Sequence, residues 1–161
     1  MGNIRVDKYN RDAVLKNGDT SALFITVFTD ASWCPDTKAY GCAYWVKIGA
    51  AVHGTEYAWG GYNCKSAEDA ELEALEKSVE VVLQSKAFVD KVIVLQSDCL
   101  NALNRLRLPP SFKLARHVKK KHVKAHTNHQ TKRTSINAKM DRMAKEKMKV
   151  YRALARENAH G

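Results

Sequence analysis

The order of the hydrophobic segments constrains the fold of this chain more than any other feature. Three segments rich in β-branched and aromatic residues come first, and they predict strands at residues 23–29, 41–48 and 55–59. A helix, a strand, a short helix, a basic strand and a last helix follow. Three leading strands favour an antiparallel meander, and the later alternation of strand and helix favours parallel additions. We therefore predict an α/β fold with a mixed five-stranded sheet flanked by helices.

Local signals place the later elements. Ser66 and Asp69 form a capping-box-like start to a helix whose apolar residues recur with a period of about 3.6. A proline pair after Leu108 stops the short helix. The remaining elements are predicted as a strand at residues 92–97, a helix at residues 100–106, a strand at residues 116–125 and a helix that starts near Ser135.

The size and composition fit one intracellular domain. The 161 residues are enough for a sizeable core, so we predict a domain at residues 21–161 preceded by an extension at residues 1–20. No signal peptide is evident, and the apolar stretch at residues 22–28 is too short to span a membrane. Four scattered cysteines without a CxxC pair are expected to be reduced thiols. We expect a cytoplasmic, reducing location.

Four acids, each on a different predicted element, suggest a metal site. Asp30 and Asp98 each follow an apolar strand, Glu71 lies early in the first helix, and Asp141 lies early in the last helix. Carboxylates at the ends of neighbouring strands can converge, and a converged set repels itself unless cations lie between its members. Glu68 projects to the same side of its helix one turn before Glu71, so helical geometry alone leaves both open.

A long basic segment separates the last two of these acids. The 42 residues between Asp98 and Asp141 contain no acid and eleven lysines and arginines, within a net charge of +10. Such a segment is either a solvated face or a surface that binds phosphates, and we prefer the second interpretation. A membrane surface is disfavoured because the segment contains no clear amphipathic helix. The expected nucleic-acid contacts are Arg116, Lys119, Lys120, Lys121, Lys124, Lys132 and Arg133.

Six short motifs follow one another along the chain. They are Phe28-Thr-Asp30-Ala-Ser32, Tyr40-Gly-Cys-Ala43, Gly61-Tyr62 with Ala70-Glu71-Leu-Glu-Ala-Leu75, Ser97-Asp98, Val123-Lys-Ala-His126-Thr-Asn-His129, and Asn137-Ala-Lys-Met-Asp141-Arg-Met-Ala144. In this order they resemble the motifs of type 1 ribonuclease H over roughly residues 23–155. In that family a Gly-Tyr pair leads into the catalytic helix, and the distance of Gly61-Tyr62 from the first helix favours Glu71 over Glu68.

The resemblance implies a monomeric hydrolase that cuts the RNA strand of an RNA/DNA hybrid and leaves 5′-phosphate and 3′-hydroxyl ends. It implies two Mg²⁺ or Mn²⁺ ions. Asp30 would bridge both ions, Asp141 would hold the one that activates water, and Glu71 and Asp98 would hold the one at the leaving oxygen. His126 would assist proton transfer or product release, whereas His129 is expected to be structural.

Departures from the family pattern leave alternatives open. Ala67 and Glu68 stand where the family has asparagines that contact the hybrid, and Leu100 stands where a polar contact is common. The chain is therefore alternatively a nuclease of this fold that acts on another substrate such as structured DNA. A non-catalytic nucleic-acid-binding protein is a second alternative. A zinc site is a third and is disfavoured by irregular spacing of its candidate ligands, which are His117, His122, His126 and His129.

Overall fold

The predicted order of elements is confirmed by a computed structural model, which describes residues 20–51, 53–123 and 132–160. Short 3₁₀ turns at Thr20–Leu23 and Pro110–Leu114 supplement the regular elements. These elements are β1 (Phe24–Trp33), β2 (Tyr40–Ile48), β3 (Thr55–Gly61), α1 (Ala67–Ser85), β4 (Val92–Ser97), α2 (Leu100–Arg105), β5 (His117–His122) and α3 (Lys132–His160).

The sheet is mixed, as predicted, and its strand order is β3-β2-β1-β4-β5. Strands β1, β2 and β3 pair antiparallel, whereas β4 pairs parallel to β1 and β5 parallel to β4. In the central parallel pair Phe28 lies opposite Gln96. The ends of β1 and β4 that carry Asp30 and Asp98 are therefore at the same edge of the sheet.

Alternating residues of β1 serve two cores, one on each face of the sheet. Ile25 and Val27 pack with α1, α2 and β4 in the larger core. Phe28 points to the opposite face and packs with Met140 and Ala144 of α3. The methionines of α3 are thus core residues, as their helical spacing predicts. The two cores fix α1 and α3, which carry Glu71 and Asp141, against the same central strand.

The last helix is seated directly on β2 at Gly41. A Cβ at this position would lie 2.0 Å from the carbonyl oxygen of Ala144 and 2.6 Å from the amide nitrogen of Met148. Only a residue without a side chain allows this approach of helix backbone to strand backbone. Asp141 lies three residues before Ala144, so the position of the fourth acid depends on this contact.

Some boundaries differ from those predicted from the sequence. Strand β1 continues to Trp33, because β2 pairs with its last residues after the pairing with β4 has ended at Phe28. Asp30 consequently lies within β1, opposite Ala43 of β2, rather than after its end. Helix α3 begins at Lys132, three residues before the predicted start at Ser135.

Other predictions have a direct counterpart in the structure. The Ser66 hydroxyl accepts a hydrogen bond of 3.0 Å from the amide of Asp69, which confirms the predicted cap of α1. All four cysteines are unpaired. In the described ranges, no helix combines the length and the apolar character that a membrane crossing requires. The boundary between an extension and a domain near residue 20 stays a prediction, because the described structure begins there.

Candidate active site

Three acids meet at the edge of the sheet where β1 and β4 end. Asp30 comes from β1, Asp98 from the turn between β4 and α2, and Glu71 from the second turn of α1. One carboxylate oxygen of each lies within 4.8 Å of the corresponding oxygens of the other two. Three negative groups at this separation in a partly buried place repel one another, and the repulsion is relieved by protonation or by a cation.

Glu71 is the most buried member of this triad. The first turns of α1 press it against the sheet, and its residue exposure is 8%. Burial is the main cause that raises the pKa of Glu71 to about 11, and the neighbouring Asp98 and Asp30 carboxylates add to it. Oxygen Oε1 of Glu71 is buried and has no hydrogen-bond partner. A buried carboxylate oxygen without a donor is the kind of atom that a cation would satisfy.

Asp30 lies at the centre of the site. Its pKa is raised to about 8, first by burial and next by the charge of Asp98, while Asp141 adds both a nearby charge and a hydrogen-bonding oxygen. The Ala31 amide donates to Asp30 Oδ1 over 2.8 Å, which lowers this pKa in part. Asp30 thus belongs to the triad and also interacts with Asp141, the fourth acid.

The turn that carries Asp98 is held by its neighbours. The Cys99 amide donates to the Ser97 hydroxyl over 3.1 Å, and the Val123 amide donates to the Ser97 carbonyl over 2.9 Å. Nitrogen Nε2 of His122 lies 3.0 Å from the carbonyl oxygen of Asp98. The sequence suggested His122 only as a zinc ligand. Its place beside the acid was missed, because it follows from the parallel pairing of β5 with β4.

Asp141 reaches the site from the third turn of α3. Its Oδ2 atom is 3.0 Å from Nζ of Lys145, one helical turn further on, and the two side chains are 37% and 50% exposed. The carboxylate raises the pKa of Lys145, and Asp30 raises it further. Lys145 was not singled out from the sequence. The i,i+4 spacing from Asp141 was the available signal.

Glu68 and Glu71, the two candidates on α1, have different partners in the structure. Arg105 of α2 is an ion-pair partner of both Glu68 and Asp69, with its Nη1 atom 2.6 Å and 2.9 Å from their carboxylate oxygens. Glu68 is therefore neutralised on the outer side of α1. Glu71, one turn later, points inward to Asp30 and Asp98.

The predicted nucleic-acid contacts lie in different surroundings. Lys119 is exposed on β5, and Lys120 donates to the Leu106 carbonyl over 2.8 Å. Arg116 is bound to Asp90 by three contacts of 2.9–3.2 Å, at the end of β5 away from the acids. Lys121 has a polar interaction within the chain.

The other predicted contacts and histidines fall largely outside the described part of the chain. His126, His129 and Lys124 lie outside the described residues, as do the side chains of Lys132 and Arg133. Of the zinc candidates, His117 and His122 occupy opposite ends of β5, about 17 Å apart at 3.3 Å per residue, so these two do not share an ion.

The donor set fits a hard divalent cation. The triad and Asp141 supply carboxylate oxygens only, and oxygen ligands suit Mg²⁺ or Mn²⁺ rather than a thiolate-bound metal. The unpartnered Oε1 of Glu71 supports the same conclusion. The residues of the triad therefore fit a divalent-metal site.

Comparison with known proteins identifies the architecture. No family model matches the sequence, and no curated protein matches it. The N-terminal ribonuclease H domain of Rv2228c from Mycobacterium tuberculosis, solved as a maltose-binding-protein fusion, superposes with a TM-score of 0.60 at 14% identity over 83% of this chain and 99% of that one. The chain has the ribonuclease H fold.

Two further structures with this ribonuclease H fold were solved with nucleic acid. LC11 ribonuclease H1, in complex with an RNA/DNA hybrid, matches with a TM-score of 0.55 at 14% identity over 81% of this chain and 99% of that one. The foamy viral protease–reverse transcriptase, in complex with double-stranded DNA, matches with a TM-score of 0.52 at 12% identity over 80% and 94%. At these identities the likeness establishes the fold, and function rests on the site.

Proposed function

We propose that this protein is a metal-dependent endonuclease that hydrolyses the RNA strand of RNA/DNA hybrids. The observation that carries the proposal is the convergence of Asp30, Glu71 and Asp98 within 4.8 Å at one edge of a ribonuclease H sheet, with Asp141 against Asp30. A self-repelling set of acids is costly to the fold, and it is explained if divalent ions and a phosphodiester occupy it.

The acids divide into two groups around Asp30. Glu71 and Asp98 with Asp30 would hold one ion, and Asp141 with Asp30 would hold the other. Bound ions would supply the positive charge that activates a water molecule and stabilises the leaving 3′ oxygen. Burial of Glu71 fixes its orientation, and the turn at Asp98 is fixed by Ser97 and His122. Cleavage would leave 5′-phosphate and 3′-hydroxyl ends.

Basic residues near the site would position the substrate. The segment between Asp98 and Asp141 is free of acids, and β5 carries lysines at residues 119–121 beside the strand that leads to Asp98. Lysines in such a row contact phosphates without reading the sequence. The resemblance to ribonuclease H1 bound to an RNA/DNA hybrid supports a hybrid as the substrate. We include His126 in this proposal, as the group that assists proton transfer or product release.

The decisive experiment is cleavage of an end-labelled RNA/DNA hybrid by the full chain in Mg²⁺ or Mn²⁺. Parallel reactions test four other substrates for comparison: single-stranded RNA, duplex RNA, duplex DNA and a branched DNA. We expect selective cleavage of the RNA strand, lost in Asp98→Asn and in excess chelator. Binding of hybrid without cleavage in either metal would contradict the proposal and leave a binding protein.

A second candidate substrate is structured DNA, and one contact favours it. The ion pairs of Arg105 with Glu68 and Asp69 form a charged cluster on the first turn of α1. Type 1 ribonuclease H, which the sequence resembles, is expected to have asparagines that contact the hybrid at this place. The same panel separates the two candidates. Cleavage of the branched DNA in preference to the hybrid, still lost in Asp98→Asn, would retain the metal site and change the substrate.

A further inference from the structure

Lys145 is an internal cation bound to one member of the acidic site. Its Nζ atom lies 3.0 Å from Asp141 Oδ2, and Asp30 is close enough to add to the rise in the pKa of Lys145. The acids are therefore unequal, since Asp141 already has an ion-pair partner, whereas the buried Oε1 atom of Glu71 has no hydrogen-bond partner.

We propose that Lys145 holds the Asp141 carboxylate until a divalent ion displaces it, so that the two halves of the site fill in sequence. The first ion would bind Asp30, Glu71 and Asp98. The second ion, between Asp30 and Asp141, would have to compete with the Lys145 ammonium and would bind only at higher concentration. This inference rests on the proposed function, because it assumes that the acids bind ions.

The geometry allows this exchange at small cost. Both side chains of the pair are substantially exposed, at 37% for Asp141 and 50% for Lys145, so water can replace either partner. Lysine has a long flexible stem and a point charge, which lets its ammonium group move away from the carboxylate while the helix stays in place. An exposed i,i+4 pair is weak, so a divalent ion can displace it. The competition should weaken the second ion by about two- to tenfold.

The chain offers a matched control on the same helix. Lys149 lies one turn after Lys145, is exposed, and is four residues further from Asp141. Lys145→Met and Lys149→Met remove the same charge from the same helix. A difference between them therefore reports the contact with Asp141 rather than the loss of one positive charge from the protein.

The test is a titration of the full chain with Mn²⁺ alone, in which free Mn²⁺ is counted by electron paramagnetic resonance. We expect a tighter and a weaker site in the unaltered protein. Lys145→Met should tighten the weaker site by about two- to tenfold and leave the tighter one unchanged. Lys149→Met should change both little. In an Asp141→Asn background the weaker site should be lost, and Lys145→Met should then have no effect.

Other outcomes separate the inference from the proposed function. Equal effects of Lys145→Met and Lys149→Met, or no effect of Lys145→Met on the weaker site, would overturn the inference while two bound ions still supported a nuclease. Failure of any Mn²⁺ to bind would contradict both. If Lys145 served only to stabilise α3, Lys145→Met would lower the melting temperature in chelator and leave Mn²⁺ affinities unchanged. Lys145→Arg, which keeps the charge, should retain the weak second site.

Discussion

Asp30 is the residue on which the electrostatics of the site converge. It is the acid that interacts with Asp98 on one side and with Asp141 on the other, and its pKa is raised to about 8. In the metal-free protein at neutral pH it is therefore largely protonated when folded and ionised when unfolded. The sequence identified Asp30 as a candidate because it lies at the end of a predicted strand. One strand alone does not show which other acids lie close to Asp30. That information comes from the sheet.

The raised pKa of Asp30 has a consequence for stability. Between the unfolded pKa near 3.8 and the folded pKa of about 8, the folded protein binds more protons than the unfolded one, so the free energy of unfolding falls as pH rises. Asp30→Asn removes the part of this dependence that comes from Asp30 and leaves the part that comes from the raised pKa of Glu71. In chelator at pH 8 we expect Asp30→Asn to melt several degrees above the unaltered protein, since one pKa unit corresponds to about 1.4 kcal/mol.

The measurement is thermal melting in chelator at pH 5 and pH 8. The difference between the two proteins should be smaller at pH 5, because the loss of stability accumulates as pH rises from about 3.8 to about 8. Mg²⁺ should raise the melting temperature of the unaltered protein and raise that of Asp30→Asn less. Equal slopes of melting temperature against pH for the two proteins would contradict the raised pKa.

A second prediction compares the same substitution at Glu71 and at Glu68. Glu71 is buried with an unpartnered oxygen, whereas Glu68 is partly exposed and bound to Arg105. Glu71→Gln should reduce cleavage of the hybrid by at least about 100-fold, because it removes a charge from the metal site. Glu68→Gln makes the same chemical change one turn away and should retain activity within about threefold. Equal losses in initial-rate assays would show that the assignment is wrong.

The strands and helices that carry the four acids were not predicted equally well from the sequence. The helix that bears Glu71 was predicted from its cap at Ser66 and from its apolar period, which are local signals. The length of β1 was underestimated, because its last residues are extended by pairing with β2, which local propensity does not contain. The ion pair between Asp141 and Lys145 could be predicted from their i,i+4 spacing on a helix. The link of Asp141 to Asp30 required the packing of α3 on the sheet.

Because α3 approaches β2 closely at Gly41, a side chain at this position would change the position of Asp141. Gly41→Ala would place a methyl group 2.0 Å from the Ala144 carbonyl oxygen, so the helix must move away from the strand. We expect a loss of about 1–3 kcal/mol in the free energy of unfolding. We also expect a loss of activity larger than the change in folded fraction, because Asp141 moves with the helix.

Gly49→Ala is a suitable control for this substitution. Gly49 has a φ of +63°, and a Cβ added there would meet no atom within 4 Å, so alanine strains the backbone without displacing a helix. It should lower stability and leave the activity of the folded protein unchanged. Chemical denaturation and initial rates of both variants test the pair. If Gly41→Ala remained fully active once folded, the position of α3 would not limit the site.

The whole molecule combines a strongly basic surface with a compact acidic site. The net charge is +10, yet at least three of the basic residues in the acid-free segment are bound to acids, namely Arg105, Arg116 and Lys139. The sequence predicted the sign and the region of the charge correctly. It could not show which arginines are already neutralised, because Asp69 and Asp90 lie far away along the chain.

This difference predicts unequal contributions to nucleic-acid binding. Lys119→Ala should weaken hybrid binding and reduce the slope of log Kd against log salt by about one, as expected for one phosphate contact. Arg116→Ala should change the slope less, since Asp90 already neutralises the guanidinium. Fluorescence anisotropy at several salt concentrations in Ca²⁺ measures both. A larger slope change for Arg116→Ala would contradict the assignment of the surface.

The order of the acids along the chain also sets the order in which a newly made protein acquires them. Asp30, Glu71 and Asp98 all precede residue 100, whereas Asp141 is carried by the last helix. At ordinary translation rates a few seconds separate the synthesis of the third acid from that of the fourth. A nascent chain can therefore complete the triad while it still lacks the residue that completes the other half. The fourth acid of the site would thus be added only after α3 has been synthesised.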